Sequence, residues 1–182
     1  TEVTRLFQAA DALGTLSVLV NNAGILQTQS RLEHISADRF RKILNVNLLS
    51  CFLCTKEAIK RMSTKHGGGG GAIVNVSSGA AKTGSPNEYV DYAASKGAMD
   101  TFTRGAALEL AEEGIRVNAV RPGLIYTDMH ALGGEPKRVD RLKANLPLKR
   151  GGTTVEVAEA IYWLASDKSS FVTGSFIDTT GG

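Results

Sequence analysis

Apolar and polar positions alternate between two periods along this chain. From Glu2 to Leu13 the apolar residues Val3, Leu6, Phe7, Ala10 and Leu13 recur at helical spacing, and Gly14 ends the segment. Ser17 to Asn21 is a short apolar run that reads as a buried strand, and Asn21-Asn22-Ala23-Gly24 supplies the short polar side chains and glycine of a sharp turn. Asp38 to Lys65 predicts one long helix with Phe40, Ile43, Leu44 and Leu48 inward. Ala72 to Val76 and Ile115 to Val120 read as further strands, the first followed by Ser77-Ser78-Gly79, the second broken by Arg121-Pro122-Gly123. A helix is predicted over Asp91 to Glu113 and another over Val155 to Ala165, and Phe176-Ile177-Asp178 opens a last strand. Helices alternating with buried strands imply an α/β fold with a parallel sheet covered on both faces.

Two stretches interrupt the pattern. Gly67 to Gly71 are consecutive glycines; a phosphate cradle needs a strand before it and a helix with Lys-Ser or Lys-Thr after it, whereas this run precedes a strand, so a flexible loop is expected. Thr127 to Arg150 is polar, interrupted by Gly133-Gly134, Pro136 and Pro147, and reads as a mobile loop with a short helix that covers a site.

With 182 residues, 42% of them hydrophobic, the chain suits a single domain over residues 1–182. A net charge of +3 with scattered Lys and Arg gives no footprint for nucleic acid or an anionic membrane. No apolar run approaches the ~18 residues of a membrane span and no leader opens the chain, so a soluble cytoplasmic protein is expected. Cys51 and Cys54 are read as small core residues, and His34, His66 and His130 show no metal-ligand spacing.

The candidate chemistry lies on the helix over Asp91 to Glu113. Tyr92 and Lys96 are four apart and so lie on one face, where a cation favours the phenolate of a group that in water titrates near pH ~10. A phenol tuned in this way can trade a proton near neutrality. Ser77 and Ser78 sit at the C-terminal end of a strand, where open α/β sheets bind ligands. Asn47 falls within an apolar helical stretch, and a buried amide must find partners or cost a few kcal/mol. Ala94, Gly97, Ala98 and Gly105 form a small-residue face opposite Tyr92, which is expected to meet a second copy of the chain.

Six fragments in order carry a resemblance: Asn21-Asn22-Ala23-Gly24, Asn47 within Val-Asn-Leu, Val74-Asn75-Val76-Ser77-Ser78, Tyr92-x-x-x-Lys96, Arg121-Pro122-Gly123 and Phe171-Val172-Thr173-Gly174. Together they resemble the short-chain dehydrogenase/reductase family over nearly the whole chain. The resemblance implies a Rossmann-like doubly wound sheet and an NAD- or NADP-dependent oxidoreductase acting on a small secondary alcohol or ketone, as a homo-oligomer, dimer or tetramer. By the same resemblance Tyr92 is the acid/base, Ser78 rather than Ser77 orients the substrate oxygen, and Lys96 lowers the Tyr92 pKa and holds the nicotinamide ribose. Asn47 would fix a water linking Lys96 to solvent. Asn21, Ala23 and Gly24 would line the adenosine side, and Pro122, Gly123, Ile125 and Thr127 the nicotinamide pocket.

The family's first strand, glycine-rich turn and second strand are not in this sequence, so we expect the chain to be part of a longer protein, with a bare strand edge where the missing strands belong. A non-catalytic nucleotide-sensing or scaffolding relative, or an inactive remnant, is the alternative; an intact Asn47, Ser78, Tyr92 and Lys96 set favours the enzyme. Within the family the sequence looks similar to glucose dehydrogenases and 3-oxoacyl thioester reductases, more than to the lyase and epimerase branch. Lys137, Arg138, Arg141, Lys143, Lys149 and Arg150 could attract an acidic ligand, although a solvated surface is the commoner meaning of such residues.

Overall fold

The computed structural model describes residues 2–182. Four strands, β1 (Val18–Asn21), β2 (Gly71–Val76), β3 (Ile115–Pro122) and β4 (Phe176–Thr179), form one parallel sheet in the order β1-β2-β3-β4. The helices are α1 (Glu2–Asp11), α2 (Ala37–Leu44), α3 (Ser50–Met62), α4 (Ala80–Thr83), α5 (Val90–Leu110), α6 (Met129–Leu132), α7 (Arg138–Leu142) and α8 (Thr154–Ala165).

Alternate side chains of the central strands feed two cores. Ile73 and Val117 meet Ala58, Met62, Ala107 and Leu110 from α3 and α5 on one face, and Phe7 of α1 closes that core. Val74 and Val120 meet Val157 and Leu164 of α8 on the other. β2 is therefore buried on both sides, as its continuous apolar run requires.

β1 is not. Its outer edge pairs with no strand among the described residues, and Val18 and Val20 are each more than a third exposed. A hollow of about 1440 Å³ runs along this uncovered sheet face, where Val18 and Val20 look across to Tyr162 and Phe171. It lies around the N-terminal ends of the strands, away from Tyr92 and Lys96, and the bare edge expected from the sequence is present.

Three expectations change. The single helix over Asp38 to Lys65 is two helices, α2 and α3, joined by a π-helical turn over Asn45–Leu49. One extra residue in that turn leaves the apolar pattern readable while widening the backbone, and such turns concentrate at functional sites. The covering segment holds two short helices, α6 and α7, rather than one.

The glycine run is a tightly packed crossing rather than a slack loop. A Cβ on Gly68 would lie 2.4 Å from the Arg61 carbonyl oxygen, on Gly70 2.5 Å from that of Gly114, and on Gly71 2.1 Å from that of Ser17. The backbone there is bonded, Gly70 N–H to Met62 O at 2.7 Å and Gly71 N–H to Gly114 O at 3.0 Å. Gly69 alone of these faces open space on every side and has no positive φ.

Thermal melts of single substitutions separate the two pictures. Gly71→Ala should cost about 2 kcal/mol or more, because its Cβ meets backbone and its φ is 150°, while Gly69→Ala should stay within about 0.5 kcal/mol. Equal small effects at both positions would restore the flexible loop.

Candidate functional site

The C-terminal ends of β1, β2 and β3 open onto two adjoining cavities. One, about 590 Å³, is lined by Gly24, Ser78, Tyr92, Lys96, Ile125 and Thr127, with Ala23, Pro122 and Gly123 also in its wall. The other, about 410 Å³, shares Ser78, Tyr92, Pro122 and Gly123 with the first and continues under α6 and α7. Eight of the residues singled out from the sequence thus come together at the first cavity along with Tyr92.

Asn21 and Asn47 do not line either cavity; both lie behind the wall. Asn21 was expected at the adenosine side. Its amide instead points into the sheet core, donating to Asn75 Oδ1 at 2.8 Å and Thr55 Oγ1 at 3.2 Å. Asn75 is its register partner on β2 and donates onward to Thr103 Oγ1 at 2.9 Å, so a ladder of buried amides ties β1 to α3 and α5.

Asn47 is fully buried in the π-helical turn, and its side chain is fully engaged. Its Oδ1 accepts from Ile25 N–H at 2.7 Å, and its Nδ2 donates to Ile25 O at 2.9 Å and to Ser95 Oγ at 3.0 Å. This amide clamps the loop after β1 onto α5, one residue before Lys96. A Cβ added to Gly24 would lie 3.5 Å from both Asn47 Oδ1 and Lys96 Nζ, which shows how near that loop passes to the ammonium.

Tyr92 and Lys96 stand on successive turns near the start of α5, which is anchored to α2 by the ion pair Arg39–Asp91 at 2.6 Å. Lys96 is 3% exposed, and Nζ donates to Val76 O at 2.7 Å. Burial lowers its pKa to about 8. The ammonium lies 5.6 Å from the Tyr92 ring centroid.

The phenol departs from expectation. Burial pushes the Tyr92 pKa up, and the group opposing that rise is the Ser78 side chain through a hydrogen bond, not Lys96. The Lys96 ammonium is turned to the Val76 carbonyl.

The two serines divide as alternation along a strand dictates. Ser77 is buried and donates to Asp100 Oδ1 at 2.6 Å, while Arg121 Nε donates to Asp100 Oδ2 at 2.9 Å. Ser78 is half-buried, lines both cavities and accepts from Ala80 N–H at 3.1 Å, leaving its own hydroxyl hydrogen free to point elsewhere. Cys51 stays a buried thiol, its pKa pushed up to about 12 by burial, and Cys54 is also free.

The residues present suit a dinucleotide's nicotinamide half. Lys96 has one hydrogen-bond partner among the described residues, so a buried ammonium keeps two donors for ribose hydroxyls. Gly24 leaves room directly in front of it. Gly123 allows the loop after β3 to pass Thr180, where a Cβ would sit 2.8 Å from Thr180 Cα. The sequence singled out neither Met129 nor His130, which stand in both cavities; His130 received attention only for the absence of metal spacing.

A parallel sheet with a Ser, a Tyr and a Lys in one cavity beyond its strand ends has its candidate site where open α/β sheets bind ligands. A family model described as enoyl-(acyl carrier protein) reductase matches residues 1–182. The uncharacterized oxidoreductase YgfF of Escherichia coli (strain K12) is 61% identical over 182 residues, all of this chain and 74% of that protein. A glucose and ribitol dehydrogenase homolog of Oryza sativa subsp. japonica is 38% identical over 172 residues, 93% of this chain and 57% of that one. The structure of ElxO with NADP bound matches with a TM-score of 0.87 at 36% identity, covering 99% of this chain and 72% of that one. The chain belongs to the short-chain dehydrogenase/reductase family and spans between about half and three quarters of the length of these relatives.

The buried ammonium makes a signed prediction for the ligand-free protein. Between pH 8 and 10.5 the folded chain has released a proton that the unfolded chain still holds, so this group's contribution to stability rises with pH across that window. Below pH 8 the penalty is complete, on the order of 3 kcal/mol. Lys96→Met should therefore raise Tm at neutral pH, with the advantage shrinking towards pH 10.5. A variant that melts lower at neutral pH would contradict the assignment of Lys96 as a strained, waiting charge.

Proposed function

We propose that this chain carries the catalytic half of an NADP-dependent oxidoreductase that interconverts a secondary alcohol and a ketone. The observation supporting this most directly is that Ser78, Tyr92 and Lys96 share one cavity wall beyond the C-terminal ends of the strands.

In this reading the carbonyl oxygen accepts from Ser78 Oγ and Tyr92 Oη. The Ala80 N–H that donates to Ser78 Oγ orients that hydroxyl, whose hydrogen turns from the phenol to the substrate oxygen. The nicotinamide, when bound, supplies or accepts the hydride at the carbinol carbon. As negative charge grows on oxygen, Tyr92 gives up its phenolic proton; in the oxidising direction the phenolate takes the hydroxyl proton back. Lys96 holds the ribose with its two uncommitted donors. Its lowered pKa of about 8 lets it return a proton to the phenolate near neutral pH. Asn47 acts through position, since its side chain is committed to Ile25 and Ser95, and any water it fixes must be held by its backbone.

We place the protein in a reducing compartment, the cytoplasm, because both thiols are free. No described helix is long and apolar enough to cross a membrane. Assembly as a dimer or tetramer through the back of α5 is supported by the open space in front of Gly97 and Gly105 and by the exposed Leu49, Phe52 and Leu108. A monomer in sedimentation would count against it.

The activity test uses the complete reading frame that encodes this chain, with NADPH and a panel of ketones. Oxidation of NADPH is expected, and Tyr92→Phe should reduce kcat by about 10²–10⁴-fold while NADPH still binds. Bound cofactor with no turnover across the panel would contradict the proposal.

A further inference from the structure

The cavity beside Ser78 and Tyr92 contains ionic side chains, but none of them is free. Lys82, Arg138 and Asp178 stand in its wall. Lys82 Nζ lies 3.0 Å from Asp178 Oδ2, and Asp178 Oδ1 is also 3.5 Å from Arg121. Arg138 grips both oxygens of Glu88, at 2.5 and 2.6 Å, with Glu135 at 3.6 Å and the Tyr89 ring beneath its guanidinium at 5.2 Å. The cations around the rim are met in the same way, Arg141 by Glu135, Lys143 by Asp140 at 2.7 Å and Arg150 by Glu156 at 2.6 Å. Lys137 and Lys149 do not line the cavity. An anion entering here would leave water and find each guanidinium and ammonium named above already matched, which disfavours it; Lys96 stands in the adjoining cavity, not in this wall.

One polar atom in this wall does lack a partner. His130 Nε2 lies 2.9 Å from the Ile125 carbonyl oxygen, which can only accept, so Nε2 carries the ring proton. Nδ1 is then a lone pair, buried and without a hydrogen bond. Burial also holds the imidazole pKa below its usual value, which keeps the ring neutral near pH 7. His130 lines both cavities, but Nδ1 itself is shut off from them, so a bound molecule reaching from the reacting oxygen towards α6 meets this lone pair as the short helix α6 gives way to it.

We propose that the substrate is an uncharged ketone or alcohol bearing a further O–H or N–H donor, that His130 Nδ1 accepts this donor, and that the internally paired charges of the wall select against carboxylates and phosphates. The inference rests on the oxidoreductase reading above and names the substrate class of the same site. A buried acceptor discriminates strongly between a ligand that supplies its missing donor and one that does not.

Three ketones of matched shape test it: 4-acetylbenzamide, neutral with an N–H donor; methyl 4-acetylbenzoate, neutral without one; and 4-acetylbenzoate, an anion. Calorimetric titration of the complete protein saturated with NADP, near neutral pH, should rank them in that order, with the amide about tenfold tighter than the carboxylate. Glu88→Gln, which frees Arg138, should narrow the gap by strengthening carboxylate binding, with the thermal melt confirming a folded variant. Carboxylate binding as tight as the amide overturns the charge argument, an ester as tight as the amide overturns the role of His130, and failure of all three to bind overturns both. The expected ranking without NADPH oxidation would support this inference while contradicting the activity reading.

Discussion

A lysine ammonium buried on the second turn of α5, with one carbonyl for company, is the constraint around which this structure is arranged. Taking such a charge out of water costs several kcal/mol unless its donors are satisfied. The chain meets only part of that demand: Val76 O accepts one hydrogen bond from Lys96, and burial lowers the pKa to about 8. Lys96 lines the open cavity, with Gly24 passing close to its Nζ.

The means is a buried polar framework behind the wall. Asn47 joins the loop after β1 to α5, and Asn21, Asn75 and Thr103 join β1, β2 and α5 one layer further in. Asp100 holds Ser77 and Arg121 together at the C-terminal ends of β2 and β3. With Ser77 tied inward, alternation along the chain turns Ser78 outward next to Tyr92. In the proposed mechanism, rigid placement of this kind would let a hydroxyl and a phenol grip one substrate oxygen without reorganising when charge develops.

Much of this was legible in the sequence for a physical reason. Buried parallel strands are short, continuously apolar runs, so β1, β2 and β3 stood out within one or two residues, and Tyr92 and Lys96 were readable because four residues make one helical turn. What escaped depends on distance in space rather than along the chain. One inserted residue makes the π-helical turn at Asn45–Leu49 without disturbing the apolar pattern enough to show it. A glycine chosen for flexibility and one forced by the carbonyl of Ser17 look alike in sequence, and so does an Asn that faces a ligand and one that faces Asn75. Arg138 finds Glu88 fifty residues away, so the basic text of the covering segment could not reveal that its charge is spent internally. The direction of the Tyr92 shift followed burial, against the opposing hydroxyl of Ser78, and the four-residue spacing reports neither.

The same logic explains the molecule's asymmetry. The side of the sheet under α3 and α5 is closed, whereas β1 shows its edge and the apolar Val18 and Val20 to solvent. The relatives, of which this chain spans 74% and 57%, are longer, and an unpaired parallel edge is the kind of surface that further strands cover.

The central claim is that Lys96 is held short of hydrogen bonds so that a ribose can complete them. A crystal structure of the complete protein with NADP decides it. The account predicts Lys96 Nζ within hydrogen-bond reach of the nicotinamide ribose hydroxyls while Ser78 Oγ and Tyr92 Oη face the nicotinamide ring. A cofactor seated elsewhere, or a Lys96 that bonds only protein atoms with NADP in place, would contradict it.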